Sequence, residues 1–163
     1  MTHPLPYRSH DHEACVSQAL NNARRICAEK GARLTRLREQ VLELVWQSHR
    51  PLGAYDILES LNSEGRRSAP PTVYRALDFL LQMGLVHRIA SLNAFVGCNQ
   101  PDHRHTGCFL ICRQCHNVLE LEAAGIQKAI DDEAQVYGFR NEETVAEVTG
   151  LCPACREKAS NYD

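Results

Sequence analysis

The sequence predicts an α+β protein made of two units that differ in apolar pattern and in charge. Residues 14–98, the N-terminal unit, show four helical repeats of apolar residues followed by two short strand-like runs. Residues 108–163, the C-terminal unit, show strands and a helix between two Cys-x-x-Cys pairs. Residues 1–13 contain Pro and His with little apolar periodicity and predict a flexible tail, and the polar residues 99–107 predict a hinge.

The charge balance divides the chain in the same way. Residues 1–98 carry 12 Lys and Arg against 9 Asp and Glu, a balance of +3, whereas residues 99–163 carry 6 against 11, a balance of −5. The basic excess is compatible with phosphate contact by the N-terminal unit, and the acidic excess argues against nucleic acid lying on the other. Because the sequence has no apolar run long enough for a bilayer and no signal-peptide pattern, we expect a cytoplasmic protein without a membrane partner.

The first three helical patterns predict a small bundle. The first covers residues 15–30 and ends at Gly31, the second is capped by Thr35 and ends before Pro51, and the third covers residues 54–62. The residues expected to form their buried faces are Val16, Leu20, Ala23, Ile26, Cys27, Leu37, Val41, Leu44, Val45, Ile57, Leu58 and Leu61.

The fourth helical pattern, residues 72–83, indicates a DNA-reading helix. A proline precedes it, Gly84 ends it, and its apolar face leaves Thr72, Arg75 and Phe79 on the opposite side. The residues of that apolar face are Val73, Ala76, Leu77, Leu80 and Leu81. The strand-like runs 85–89 and 94–98 then predict a hairpin, and this order is that of a winged helix-turn-helix. A small α+β domain without a nucleic-acid partner is the alternative.

The C-terminal unit is predicted to combine three strands with one helix. The strands cover residues 108–112, 118–121 and 144–149, and the helix covers residues 125–137. Ile126, Ile130 and Tyr137 are expected to be the buried residues of this helix.

Two cysteine pairs at the ends of the C-terminal unit predict a structural zinc site. Cys112 with Cys115, and Cys152 with Cys155, each allow one tight turn to place two thiolates about 2.3 Å from a tetrahedral zinc ion. Four thiolates leave no open position, so the site would stabilise this small unit rather than catalyse a reaction. A redox Cys-x-x-Cys is the alternative. The sequence has no zinc-enzyme motif such as His-Glu-x-x-His, so we expect neither enzyme activity nor a small-molecule substrate.

The run Pro70-Pro-Thr-Val-Tyr-Arg75, with the His-containing hinge and both cysteine pairs, resembles the ferric uptake regulator family of bacterial metal sensors. The resemblance covers about residues 33–155. It implies a winged-helix domain, an α/β dimerisation domain, a homodimer, and binding to AT-rich inverted repeats of double-stranded DNA when metal is bound. One departure is the hinge, which carries fewer His residues than in iron-responsive members, so a third metal site is not expected.

Within that family the sequence is similar to the zinc uptake regulator branch at Ala54-Tyr-Asp56 and Val86-His87. This similarity implies a regulatory zinc site, and therefore two zinc ions per chain. The implied ligands are His87, Cys98, His105 and Glu120. His103 and Glu122 remain alternatives to His105 and Glu120, because each lies two residues away. A thiolate, imidazoles and a carboxylate suit Zn(II) better than Mn(II) or Fe(II).

The same branch implies the DNA contacts and the function. Tyr55 and Arg75 match its DNA-contacting positions, and Thr72 and Tyr74 lie near them in sequence, although Tyr74 could instead pack against the third helix. We therefore expect a zinc-responsive repressor of zinc uptake genes that binds palindromic operator DNA when zinc-loaded. The alternatives are an iron, manganese or peroxide sensor of the same family, a zinc-dependent enzyme, and a zinc-stabilised interaction adaptor.

Overall fold

The computed structural model describes residues 11–63, 65, 67–102 and 107–160. Its elements follow one another as four helices, a hairpin, two strands, a helix, a strand and a last helix. Among these residues, no helix is both long and apolar enough to serve as a membrane span. The predicted α+β class is confirmed, and the exact domain boundaries stay a prediction.

The first two helices of the N-terminal unit begin at side-chain caps. Helix α1 (His12–Glu29) starts three residues before the predicted position, because the Asp11 side chain accepts a hydrogen bond from the Ala14 N–H and caps it. Two residues assigned to the tail, His12 and Glu13, are therefore helical, and residues 1–10 lie outside the described part. Thr35 caps helix α2 (Arg36–Trp46) as predicted, by accepting from the Arg38 N–H at 3.4 Å.

Helices α3 (Ala54–Ser63) and α4 (Pro70–Gln82) complete the bundle around one apolar core. The fully buried residues of that core include Cys27, Val41, Leu42, Val45, Ile57, Leu61, Val73, Leu77 and Leu80. Phe79 was predicted to face away from this core, and that was wrong. It packs partly against the core, and the Arg38 guanidinium covers its ring at 3.6 Å from the centroid.

The predicted hairpin is present and carries an additional bridge. Strands β1 (Val86–Ile89) and β2 (Ala94–Gly97) pair antiparallel, and a short 3-10 helix (Ala90–Leu92) connects them. The backbone of Leu52, just before α3, exchanges two hydrogen bonds of 2.9 Å with Phe95. This bridge ties the hairpin to the bundle, and a single residue gives no periodic pattern from which it could be predicted.

The C-terminal unit contains a three-stranded sheet in the order β4-β3-β5. Strand β3 (Gly107–Cys112) pairs antiparallel with β4 (Val118–Glu120) and parallel with β5 (Val145–Gly150). Helix α5 (Ala124–Val136) lies between β4 and β5 in the chain, and helix α6 (Pro153–Ser160), which was not predicted, begins at a proline. Proline is favourable in a first helical turn because the N–H that it lacks has no partner there.

The prediction that helix α5 buries Ile126, Ile130 and Tyr137 was wrong. These side chains are 41%, 37% and 79% exposed, because α5 is amphipathic but its own chain does not cover its apolar residues. Other exposed apolar residues of the same unit are Leu110, Val136, Phe139, Val145 and Val148. Leu110 and Val148 are directly paired and share the sheet face opposite to Phe109. We call these two residues, together with the exposed apolar residues of α5 and of the turn after it, the open apolar face, and such a concentration of apolar side chains is typical of an interaction surface.

A second, smaller apolar cluster joins the two units. Ile89 and Val96 of the hairpin pack with Phe109, Ile111 and Val118 of the sheet. The Val118 N–H also donates to the His49 carbonyl at 3.0 Å, so the sheet contacts both the hairpin and the end of the bundle. We call this contact the junction; it positions the second candidate site.

Candidate metal centres and nucleic-acid interface

The four cysteines of the two pairs come together at the end of the sheet. Their sulfur atoms all lie within 4.8 Å of one another, and Cys115 Sγ is 3.8 Å from Cys152 Sγ. Tetrahedral zinc with Zn–S bonds of about 2.3 Å separates its sulfurs by roughly 3.8 Å. The cluster therefore has the dimensions of a four-thiolate zinc site.

Strand pairing explains why residues 40 positions apart meet there. Cys112 is in register with Gly150 at the ends of the parallel strands β3 and β5, so the second pair follows directly beside the first. The Cys152 N–H donates to Cys112 Sγ at 3.4 Å. His116, with a left-handed φ of 60°, donates its N–H to the Cys112 carbonyl at 2.9 Å and closes the turn of the first pair.

The electrostatics of this cluster favour a bound cation. Burial opposes ionisation of Cys112, yet backbone N–H groups, that of Cys115 foremost, lower the pKa of its thiol to about 6. Burial and the neighbouring sulfurs raise the pKa of Cys155 to about 12. Four thiols so close together cannot all ionise unless a positive ion compensates their mutual repulsion.

A second cluster lies at the junction and joins three segments. His87 of β1, Cys98 just after β2 and Glu120 at the end of β4 each offer a ligand atom within 4.8 Å of the other two. His87 Nε2 lies 2.7 Å from Glu120 Oε1, and the Asn99 N–H donates to Glu120 Oε2 at 2.9 Å. Burial, and then the Glu120 charge, raise the pKa of the Cys98 thiol, so a positive ion is needed for the thiolate to form.

The two carboxylate alternatives have different neighbours in the structure. Glu120 contacts His87, whereas the exposed Glu122 accepts a hydrogen bond from the Gln100 side chain and is not a member of the cluster. His103 and His105 both lie outside the described residues. A thiolate, an imidazole and a carboxylate in one half-buried pocket fit a borderline-soft ion such as Zn(II).

The residues predicted to contact DNA lie near the starts of α3 and α4. Tyr55 is 73% exposed, and Arg75 is exposed with its Nε donating to the Pro71 carbonyl at 3.3 Å. Tyr74 is 44% exposed and Thr72 is half-buried. Exposed aromatic and guanidinium groups near a helix N-terminus can reach phosphates and base edges in a major groove.

Two further side chains at the junction were not singled out from the sequence. Trp46 packs so closely on Gly97, the residue before Cys98, that no Cβ would fit there. Glu147 of β5 accepts hydrogen bonds from the Ala90 and Ser91 N–H groups at the tip of the hairpin. The sequence contains a signal for the contact of Trp46, because Gly97 directly precedes a candidate ligand. It contains no signal for the contact of Glu147, which is an acidic residue in a half-exposed strand.

Comparisons with known proteins agree with this architecture. The model of the ferric uptake regulator family matches residues 29–149. The zinc uptake regulation protein of Escherichia coli (strain K12) is 40% identical over 143 residues, which cover 87% of this chain and 84% of that protein. A structure of a zinc uptake regulator complexed with zinc and DNA superposes with a TM-score of 0.84 at 39% identity, covering 89% of this chain and 97% of that one.

One similar protein, XcZur, has been solved in a holo and an apo form. The holo crystal structure of XcZur matches with a TM-score of 0.79 and covers 86% of this chain and 98% of that one, at 40% identity. The apo crystal structure has the same identity and covers 86% and 97%, but its TM-score is 0.51. The resemblance seen in the sequence is confirmed, and the chain belongs to the ferric uptake regulator family.

Proposed function

We propose that this chain is a zinc-responsive transcriptional repressor that binds palindromic operator DNA when zinc-loaded and controls zinc uptake genes in the cytoplasm. The observation that carries the proposal is the convergence of His87, Cys98 and Glu120 at the junction between the two units. The zinc uptake regulator complexed with zinc and DNA, similar along 97% of its chain, supports the same conclusion.

The location of the second cluster suggests how metal occupancy would control DNA binding. His87 and Cys98 belong to the hairpin side of the junction, whereas Glu120 belongs to the sheet. When bound there, zinc would supply the positive centre that these side chains share, with His105 as the proposed fourth ligand. Because the ligands come from both units, occupancy would restrict the rotation of one unit against the other. The greater likeness to the holo than to the apo XcZur structure agrees with this coupling.

The four-cysteine cluster has a different proposed role. All its members belong to the C-terminal unit, and they tie the end of β3 to the segment after β5. A second zinc ion held there would stabilise this unit irrespective of the regulatory site. We therefore propose two zinc ions per chain, one for each cluster.

The open apolar face supports a homodimer. Ile126, Tyr137 and Phe139 are exposed on a single chain, and a two-fold partner presenting the same surface would bury them. A dimer presents two α4 helices to the two halves of a palindrome. In each, Arg75 would contact base edges or phosphates, and Tyr55, Thr72 and Tyr74 would contact the adjoining backbone.

The main alternative within the family is an iron, manganese or peroxide sensor. Cys98 favours zinc, because a thiolate ligand binds Zn(II) in preference to the harder Mn(II) and Fe(II). A zinc-stabilised adaptor would keep the four-cysteine site but would lack salt-dependent affinity for DNA.

The decisive experiment measures DNA binding across a series of buffered metal concentrations. A labelled duplex carrying an AT-rich inverted repeat, selected by the protein from a random pool, is titrated at buffered free Zn(II), Mn(II) or Fe(II), and anisotropy reports binding. We expect binding at low free zinc and a metal content of two zinc ions per chain, matching the two clusters. Restoration by Mn(II) or Fe(II) alone, or binding that is unchanged by a chelator, would overturn the proposal.

A further inference from the structure

Three side chains form one row across the sheet and face the hairpin. Phe109 in the central strand is in register with Glu120 on β4 and with Glu147 on β5. Directly paired residues of neighbouring strands project to the same face of a sheet. The row therefore places a candidate metal ligand at one end, an aromatic ring in the middle and a second carboxylate at the other end.

Each member of the row contacts a different part of the hairpin. Glu120 contacts His87 at 2.7 Å, and the Phe109 ring packs edge-on against the His87 ring at 5.1 Å between centroids. Glu147 lies 2.6 Å from the Ala90 nitrogen and 3.2 Å from the Ser91 nitrogen, both of which donate to its carboxylate. Hydrogen bonds thus hold both ends of the junction, and a buried ring fills its centre.

The contact of Glu147 has the chemistry of a helix cap supplied by another unit. Ala90 and Ser91 open the 3-10 helix of the hairpin, where N–H groups have no partner within the helix. Ile89, the residue before this helix, provides no side-chain cap. A carboxylate that accepts two backbone N–H groups forms charge-assisted hydrogen bonds, which are stronger than neutral ones. The Ser91 side chain lowers the pKa of Glu147 and the two backbone groups add to this, against the effect of burial.

We propose that Glu147 is a latch at the junction that lowers the free zinc concentration at which the protein binds DNA. The latch is the pair of hydrogen bonds from Ala90 and Ser91 to Glu147. The proposal rests on the zinc-dependent DNA binding proposed above. Glu147 is a positioning residue, since it belongs to neither metal cluster and acts through the orientation of the hairpin.

The physical reason is that the latch and the metal favour the same arrangement of the two units. The apparent dissociation constant of a ligand is its intrinsic value divided by the fraction of protein in the binding-competent arrangement. The latch raises that fraction before zinc binds, so less zinc is needed. At saturating zinc the metal ligands hold the junction, and the contribution of the latch to DNA affinity becomes small.

The test compares the full-length natural chain with Glu147→Gln and with the control Glu143→Gln. Glu143 is an exposed acidic residue four positions earlier, so its substitution changes the net charge equally. In the buffered zinc titration, we expect Glu147→Gln to raise the free zinc at half-maximal DNA binding by about three- to tenfold, the size expected for one weakened charge-assisted contact that is partly exposed. Zinc content and DNA affinity at saturating zinc should stay within about twofold of the natural chain.

A second variant removes the donor instead of the acceptor. Ala90→Pro deletes the closer N–H, and the extended backbone of Ile89, with φ −92° and ψ 103°, accepts a following proline. We expect a rise in the zinc midpoint in the same direction but smaller than for Glu147→Gln, because the Ser91 N–H still donates to Glu147. Combining it with Glu147→Gln should add little, because both changes break the same contact.

The outcomes separate this inference from the proposed function. If the natural chain binds DNA without regard to zinc, the proposed function fails. If the natural chain responds but Glu147→Gln has the midpoint of Glu143→Gln, the latch is refuted and the zinc response stands. Two shifts that multiply in the double variant, or an equal loss of affinity at saturating zinc, would also refute it.

Discussion

The two metal clusters differ in the parts of the chain that they connect. The four cysteines lie within one unit, at strand ends that backbone pairing already brings into register. His87, Cys98 and Glu120 come from both sides of the junction. On the proposed function, a metal ion in the first cluster would add stability to one folded unit, whereas an ion in the second would restrict how the two folded units are oriented. The chain segments that supply the ligands therefore distinguish a structural from a regulatory site.

The largest effect is expected from Cys112→Ser, which breaks the cluster within the C-terminal unit. A structural zinc site contributes a large part of the folding free energy of so small a unit, about 10 kcal/mol or more when intact. We expect loss of the cooperative unfolding transition of that unit and loss of the dimer, measured by calorimetry and light scattering. Cys15→Ser, in α1 and outside both clusters, is the control. An intact dimer with unchanged melting would contradict the structural role.

The next largest effect is expected from Cys98→Ser, which breaks the cluster at the junction. Loss of a side chain that binds the metal directly should raise the free zinc needed for DNA binding by at least about 100-fold. Removing a residue that only hydrogen-bonds to a metal ligand already lowers metal affinity by about 10- to 100-fold. The dimer should persist, and the zinc content should fall by half, because the four-cysteine cluster is untouched. If Cys98→Ser still binds DNA at the same free zinc in the anisotropy titration, Cys98 is not a ligand of the regulatory zinc.

A matched pair of carboxylate variants sharpens the definition of the second cluster. Glu120→Gln removes the charge of a proposed ligand that contacts His87 but keeps one oxygen, so we expect the zinc midpoint of DNA binding to rise by about 10- to 100-fold, less than for Cys98→Ser. Glu122→Gln changes an exposed residue bonded to Gln100, and we expect less than about a threefold change. The reverse order of these effects, in the same titration, would identify Glu122 as the ligand.

The last effect, on DNA affinity rather than on metal binding, is expected from Arg75→Ala, which touches neither cluster. Loss of a base or phosphate contact costs about 1–3 kcal/mol, or roughly 5- to 150-fold in operator affinity. The zinc content, and the zinc affinity measured without DNA, should not change, because Arg75 lies on α4 away from the junction ligands. Lys158→Ala, an exposed cation of α6, is the control. If Arg75→Ala leaves the affinity for operator DNA unchanged, another surface of the protein contacts the DNA.

Local signals explain what the sequence predicted well. Thr35 and Gly31 mark helix ends through a side-chain cap and a left-handed φ of 62°, and both act within a few residues of chain. The spacing of Cys112 and Cys115 likewise determines locally that one turn can place both thiolates on one metal ion. Features of this kind need no knowledge of distant segments, so they can be found before the fold is known.

Contacts between distant segments explain the rest. The bridge of Leu52 to Phe95 and the hydrogen bond of Ala90 to Glu147 each join segments far apart in the chain, and such single contacts produce no periodic pattern in the sequence. The helix over residues 125–137 was predicted with its apolar face buried, because periodicity shows that a face is apolar but not which molecule covers it. The regulatory ligands were named only through the family resemblance, since single residues far apart have no spacing rule.

The close packing of Trp46 on Gly97 has a practical consequence. The chain contains a single tryptophan, and its indole packs on Gly97 and lines the same small cavity as Glu120. Intrinsic emission from this protein therefore comes almost entirely from the place where the hairpin meets the sheet. Closing or opening of that contact can be followed in solution, in real time and without a label, by the wavelength and intensity of one native fluorophore.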